Sequence, residues 1–300
     1  MLKQEYLWTP GAAAITKNFE LAKRPIAAII ITMDALGNTG APTRANMLTQ
    51  MGTEISVKDG GIKITPEWSA SQWDKYMKHF LGINPLFPDG TAANDTIATC
   101  HLIIPFGRPL RGRQLGGLLD LEDPLVGFVP KATPELYMSL PADGSTLDTR
   151  NIKITVLYHD VKPRYNKLWT PWSSQTVNTS TETWWNIGED AKRLLLEMFL
   201  FQTTEWNTNM ASEVPTIKSW RLTKGGNNIF TDGNVSGQLL FATMDETINV
   251  DDQYFHFPFS FSPWDNLSKC IRLDKMVKLG ILGGVADTAS AAFALIEPAT

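Results

Sequence analysis

The sequence has little of what most catalytic and metal chemistry requires. Two cysteines occur in 300 residues, Cys100 and Cys270. Such a pair supplies neither a disulfide framework nor the Cys spacing of a zinc site. Cys100 lies inside an apolar run and reads as a small core residue. Four histidines, His79, His101, His159 and His256, are scattered along the chain. There is no GxxxxGK[ST] phosphate loop, no HExxH zinc helix and no GxSxG elbow. No run approaches the roughly 20 apolar residues of a membrane-spanning helix. The first 20 residues lack the apolar stretch of a secretory signal. Synthesis in a cytoplasm is therefore expected, and the sequons at Asn94, Asn178, Asn234 and Asn266 then have no consequence. Charged residues make up only 19% of the chain, with a formal net charge of −4. That balance excludes a dedicated nucleic-acid binder, which would carry a basic stripe.

What the chain does have is aromatics and an internal doubling. Ten Trp and fourteen Phe accompany a hydrophobic content of 43%, enough for sizeable cores and large buried interfaces. Thr99-Cys100-His101-Leu102-Ile103-Ile104-Pro105-Phe106 has a distant partner in Tyr254-Phe255-His256-Phe257-Pro258-Phe259. Other pairs keep the same order. Residues 24–31 match 193–200, offset 193 − 24 = 169. Lys58-Asp59-Gly60-Gly61 matches Lys224-Gly225-Gly226-Asn227, offset 224 − 58 = 166. Ser69 to Gln72 and the helical pattern after it match 234–238. The Pro-Phe pairs are offset by 259 − 106 = 153, and the closing runs 152–158 and 291–297 by 291 − 152 = 139. An offset that falls in steps is the signature of one domain written twice, the second copy with shorter loops.

Within each copy the periodicity is that of strands. Residues 26–33 form an Ile-rich buried strand between Pro25 and Gly37. Residues 54–58 and 62–65 alternate around Asp59-Gly60-Gly61, a strong hairpin signal. Ser69 with Gln72 three residues later is a capping box. Trp73, Met77, Phe80 and Leu81 then recur at helical spacing, with Asp74, Lys75 and Lys78 on other faces. Strands follow at 96–106, 118–121, 136–140 and 152–158. The second copy repeats them at 194–201, in a hairpin over 217–230, at the His-Phe-Pro-Phe run, at 270–276, 277–282 and 291–297. A helix near 236–244 is its counterpart of the Ser69 helix. Residues 1–13 read as a mildly basic N-terminal arm, 14–162 as the first domain, 163–181 as a linker and 182–300 as the second domain.

Candidate sites are few, and none makes a catalytic set. His101 and His256 occupy matching strands and read as core or interface histidines; His79 reads as exposed. Asp120, Glu122 and Asp123 could form a glycosidase-like carboxylate group, but a solvated loop explains them as well. Asp245, Glu246, Asp251 and Asp252 offer the oxygen ligands calcium takes, at a spacing that matches no EF-hand. Arg108, Arg111 and Arg113 form the one basic cluster, suited to a neighbouring subunit or to lipid. Trp184-Trp185, or Trp169 with Trp172, could present a sugar-stacking platform. No catalytic, cofactor-binding or metal residue is assigned, and no cofactor is expected beyond a structural calcium at the acidic group.

The hairpin at Lys58-Asp59-Gly60-Gly61, the Ser69 helix, the run from His101 to Arg113 and the strand over 152–158 recur in the second half. In this order the chain resembles the double jelly-roll major capsid proteins of tailless, internal-membrane-containing icosahedral bacteriophages, of corticovirus and finnlakevirus type, in the adenovirus-hexon-like lineage. The resemblance covers residues 14–300. It implies an all-β protein of two tandem eight-stranded jelly-roll β-sandwiches, with strands in sheets BIDG and CHEF and a short inserted helix in each. It also implies a structural subunit of the virion, not an enzyme, made in the cytoplasm of a bacterial host. Its partners would be two further copies in a homotrimer, then neighbouring capsomers, penton and minor capsid proteins. The base and the N-terminal arm would face the internal lipid membrane. A carbohydrate-binding or glycoside-cleaving double β-sandwich is the alternative.

Overall fold

A computed structural model describes residues 2–37, 43–81, 97–107, 125–143, 147–171, 173–202, 217–231, 254–258 and 270–299. The chain divides into two compact units, Met1–Lys167 with Ala299–Thr300, and Leu168–Pro298.

The first unit opens with β1 (Leu2–Trp8), β2 (Ile15–Glu20) and β3 (Ile26–Gly37). Next come α1 (Arg44–Met51), β4 (Glu54–Asp59), β5 (Ile62–Lys63) and α2 (Ala70–Leu81). It continues with β6 (Ile97–Pro105), β7 (Val126–Gly127), β8 (Pro134–Leu140) and β9 (Leu147–Tyr158). Two four-stranded sheets result, ordered β1-β9-β3-β6 and β2-β8-β4-β5. Lettered B to I along the chain, with the short β7 left out, these are the BIDG and CHEF sheets of a jelly roll. Alternation explains the sandwich. On β9 the side chains of Ile152, Ile154 and Val156 are buried, while Lys153 and Thr155 face outward, as the pleat requires.

Residues 1–13 are therefore not an arm. Leu2 to Trp8 pair residue for residue with Tyr158 to Ile152, and Trp8 is buried against Phe19. Arg150, 1% exposed, holds the turn that follows: its guanidinium donates to the Gly11 and Pro141 carbonyls at 2.8 and 2.9 Å and to Gln50 Oε1 at 3.2 Å. Of the basic side chains that suggested a free terminus, Lys3 is exposed on strand B, Lys17 belongs to strand C, and Lys23 and Arg24 lie between strands C and D.

The capping box closes as expected. Ser69 N–H donates to Gln72 Oε1 at 2.9 Å, and Gln72 N–H donates to Ser69 Oγ at 3.3 Å. Trp73 of α2 donates from Nε1 to the Ile55 carbonyl at 2.9 Å and packs with Trp68 and Tyr76. Asp74, expected on a wet face, is buried in an ion pair with Arg44 of α1. Helix α1 had no sequence signal beyond its Thr43 cap, because its residues are apolar and polar without a clear stripe.

The expected linker also carries strands. β10 (Tyr165–Trp169) begins in the first unit, where Tyr165 and Asn166 pair in parallel with β7, and β11 (Ser173–Val177) opens the second. Then come β12 (Thr183–Gln202), β13 (Ile217–Lys224), β14 (Asn227–Thr231) and β15 (Tyr254–Pro258). β16 (Ile271–Gly283) and β17 (Asp287–Pro298) finish the unit. β16 is one strand where the sequence suggested two. The helix expected near 236–244 lies outside the described residues, as does the strand at 118–121.

The second unit repeats the first. The early part of β12 pairs with β16, β16 with β13, and β13 with β14: the order C-H-E-F. The later part of β12 pairs with β17 and with β15, and β17 pairs with β11: the order B-I-D-G. One 20-residue strand is thus both C and D. It changes sheets through register shifts between Asn186 and Leu194. Gly188, at φ +137°, sits at this corner, a conformation that side chains with a Cβ rarely adopt. The core of this unit gathers Trp185, Met198, Leu200, Trp220, Leu222, Leu279, Phe293 and Leu295.

Register refines the alignment between the copies. Gly60 and Gly61, at φ +58° and +83°, match Gly225 and Gly226, at +56° and +84°. The true turn offset is 225 − 60 = 165. Pro105 faces Ala28 and Pro258 faces Glu197, so the Pro-Phe pairs correspond as read. Val156 and Phe293 face Ile29 and Met198, giving 293 − 156 = 137 for the closing strands.

Candidate functional site

The histidines do not converge. His101 is exposed on β6, where its Nδ1 lies 3.0 Å from Thr32 Oγ1; it is not a core residue. Its register partner Thr32 corresponds to Phe201, which faces Tyr254. His101 therefore matches Tyr254, two residues from His256. Only His159 is a core histidine among those whose side chains are described. It is 3% exposed and its ring fills the space above Gly127, where a Cβ would come within 2.5 Å of Nε2. The side chains of His79 and His256 lie outside the described residues. So do Asp120, Glu122 and Asp123, the acidic group at Asp245, Glu246, Asp251 and Asp252, and Arg108, Arg111 and Arg113. Among the described residues no three His, Cys, Asp or Glu side chains form a group that could hold a metal.

Both cysteines are buried, and neither forms a disulfide. Burial, with the nearby Glu197 charge adding to it, pushes the Cys270 thiol up to about 12. It stays protonated and unreactive at neutral pH.

Of the four tryptophans that could present a sugar-stacking platform, Trp169, Trp184 and Trp185 are described. Trp169 and Trp185 are buried, the latter donating from Nε1 to the Ser173 carbonyl at 3.1 Å. Trp172 lies outside the described residues. Trp184 is half-buried on the outward face of the second CHEF sheet, in one row with Gly280 and Arg221. A Cβ at Gly280, its cross-strand partner, would fall 2.8 Å from the ring. The Arg221 guanidinium lies 5.0 Å from the ring centroid, a cation–π contact. Arg221 is held there by Glu182, at 2.5 and 3.1 Å.

Around this stack is a cleft of about 670 Å³, lined by Trp184, Asn186, Arg221, Thr223, Met276 and Lys278 with the Gly225-Gly226 turn. Asn186, Lys278 and Thr223 form one row across strands C, H and E. Lys275 lies along the turn: a Cβ on Gly225 would meet its Cδ at 2.9 Å. Arg221 has its carboxylate, but neither Lys275 nor Lys278 has an ion-pair partner among the described residues. Among the described residues the cleft therefore carries an unbalanced positive charge beside the neutral amide of Asn186.

The first unit has the same rows with other residues. Asn18, Tyr137 and Ser56 stand where Trp184, Gly280 and Arg221 stand in the second. Glu20, Glu135 and Lys58 stand where Asn186, Lys278 and Thr223 stand. Each unit keeps one aromatic ring under one cation, for Lys58 lies 4.4 Å above Tyr137. The charge is inverted. Glu20 and Glu135 face each other directly, a like-charge pair that costs stability in an isolated sheet. Neither has an ion-pair partner among the described residues. These positions were not singled out from sequence. Their only signal is alternation, Lys278 between Val277 and Leu279 and Glu135 between Pro134 and Leu136, which marks them as outward and says nothing of what faces them.

No family model and no curated protein matches the sequence. Solved structures do match the fold. The major capsid protein P2 of bacteriophage PM2 aligns over 100% of this chain and 98% of its own, at a TM-score of 0.62 and 10% identity. The STIV MCP aligns over 98% and 97%, at 0.58 and 11%. A chain of the PBCV-1 virus capsid aligns over 98% and 93%, at 0.55 and 9%. PNGase F of Flavobacterium meningosepticum also aligns, at 0.37 and 8%, too low to carry an argument. The likeness to the capsid proteins spans both units and both chains nearly end to end, so this chain has their double jelly-roll fold.

Proposed function

We propose that the chain is a major capsid protein: a structural subunit that forms trimers and tiles an icosahedral shell. The observation that carries this reading is the repeat of B-I-D-G and C-H-E-F in one chain, at the full length of the capsid proteins it matches. Two similar upright sandwiches per chain and a threefold axis place six sandwiches in a ring. Such a ring has a near-hexagonal footprint that packs against its own kind from a single gene product. Penton and minor capsid proteins, an internal lipid membrane, a DNA genome and synthesis in a bacterial cytoplasm belong to the same proposal. With residues 2–8 committed to strand B, any membrane contact falls to the base of the subunit and not to a free arm. The chain acts as a scaffold and not as an enzyme; Trp169 and Trp185 are buried, and Trp184 packs with Gly280 and Arg221.

Size exclusion with light scattering tests this. The purified chain is expected near 100 kDa, three times 33.4 kDa, and to form hexagonal sheets or closed shells in electron micrographs at high concentration. A persistent monomer, or turnover of a glycan, overturns it.

A further inference from the structure

The inverted rows on the two CHEF faces suggest a specific contact. We propose that Glu20 and Glu135 of one copy dock into the Lys278 cleft of a second copy. The inference rests on the capsid reading, since it assumes that copies assemble. Both faces are open at these rows: Glu20 and Asn186 are exposed, and Glu135 and Lys278 are half-exposed. On one side, two carboxylates face each other across strands C and H, and Lys58, the cross-strand partner of Glu135, is turned onto Tyr137. On the other, Lys278 lines the cleft beside the exposed Asn186, whose amide can hydrogen-bond a carboxylate, Lys275 lies along the Gly225 turn at its edge, and neither lysine has an ion-pair partner among the described residues. Each surface leaves uncompensated the charge the other supplies. Because every copy carries both surfaces, two copies can make the contact twice about a twofold, or once each around a closed ring.

Gly280 is part of the fit. In the first unit the equivalent position is filled by Tyr137; in the second it is empty of side chain, and Trp184 lies flat over it. The cleft beside it stays open for an incoming side chain.

A charge exchange in the full-length chain tests the proposal. Lys278→Glu, and separately Glu20→Lys with Glu135→Lys, would be followed by light scattering for oligomers and by electron microscopy for sheets or shells. Each change juxtaposes like charges, and the concentration needed for assembly is expected to rise about tenfold or more. Combining all three changes restores complementarity and is expected to bring assembly back to within about threefold of the original chain. The loss is expected to shrink in 1 M salt, where screening reaches only about 3 Å. Circular dichroism melts separate misfolding from lost contact; if Lys278→Glu melts early, Lys278→Gln serves in its place, with a smaller loss expected. Reversals that assemble like the original chain, or a combined exchange no better than its parts, overturn the contact and leave the capsid reading standing. An original chain that never assembles overturns both.

Discussion

Asn18, Tyr137 and Ser56 cross three strands of the first unit; Trp184, Gly280 and Arg221 cross the same three in the second. The backbone pairing is the same, and the E–F turns agree within a few degrees of φ. The side chains share nothing but one ring under one cation. Inner faces obey one rule in both units, since Ile29, Ile31 and Val156 correspond to Met198, Leu200 and Phe293, all buried. A sandwich constrains size and polarity inward and leaves the outward rows free to diverge. Divergence in those rows is where a difference in partners can be written.

The largest expected effect comes from removing strand B of the first unit while its counterpart in the second, β11, stays in place. Deleting residues 1–13 takes away strand B, exposes Phe19 and leaves the edge of β9 unpaired; the first unit is expected to lose its cooperative melt in calorimetry. A truncated chain that still melts as the full one does would restore the view of this segment as an arm. Next is Arg150→Ala. It leaves the Gly11 and Pro141 carbonyls and Gln50 without their buried donor, at a cost of about 3 kcal/mol or more, read as a lower urea midpoint. Its positional counterpart in the second unit is Asp287, so the loss should be confined to the first.

Gly280→Tyr places a side chain where Trp184 lies and is expected to cost about 1–3 kcal/mol by overpacking. Adding Trp184→Asn recreates the first unit's arrangement and should recover most of that loss. No recovery would mean the two rows are not equivalent. Smallest are Gly61→Val and Gly226→Val. Both glycines have positive φ and open space around the added Cβ, so each change is expected to cost roughly 1–2 kcal/mol through backbone conformation alone. Equal penalties in thermal melts would confirm that the two turns are one design; unequal ones would separate them.

Much of this fold could be read from the residues because its signals are local. The Gly60-Gly61 and Gly225-Gly226 turns, the Ser69–Gln72 capping box and the alternation on β9 each follow from a few neighbouring side chains. The errors have one physical source, which is that a strand's role is decided by its partner. Leu2-Lys3-Gln4-Glu5-Tyr6-Leu7-Trp8 looks like a solvated terminus until Tyr158 to Ile152 lie alongside it. A two-residue slip preserves the face a side chain points to, so matching apolar runs placed His101 opposite the wrong residue of the second copy. The outward rows were least legible, because Glu20 and Lys278 are ordinary surface residues until their cross-strand neighbours are known.

The 20-residue strand β12 has a mechanical consequence. In the first unit, C and D are separate strands joined by residues 21–25, so one layer can loosen while the other holds. In the second, a single extended backbone runs through both layers like a tie bar. Tension on either layer is passed to the other, and the second unit should yield to pulling in one abrupt step while the first gives way in stages.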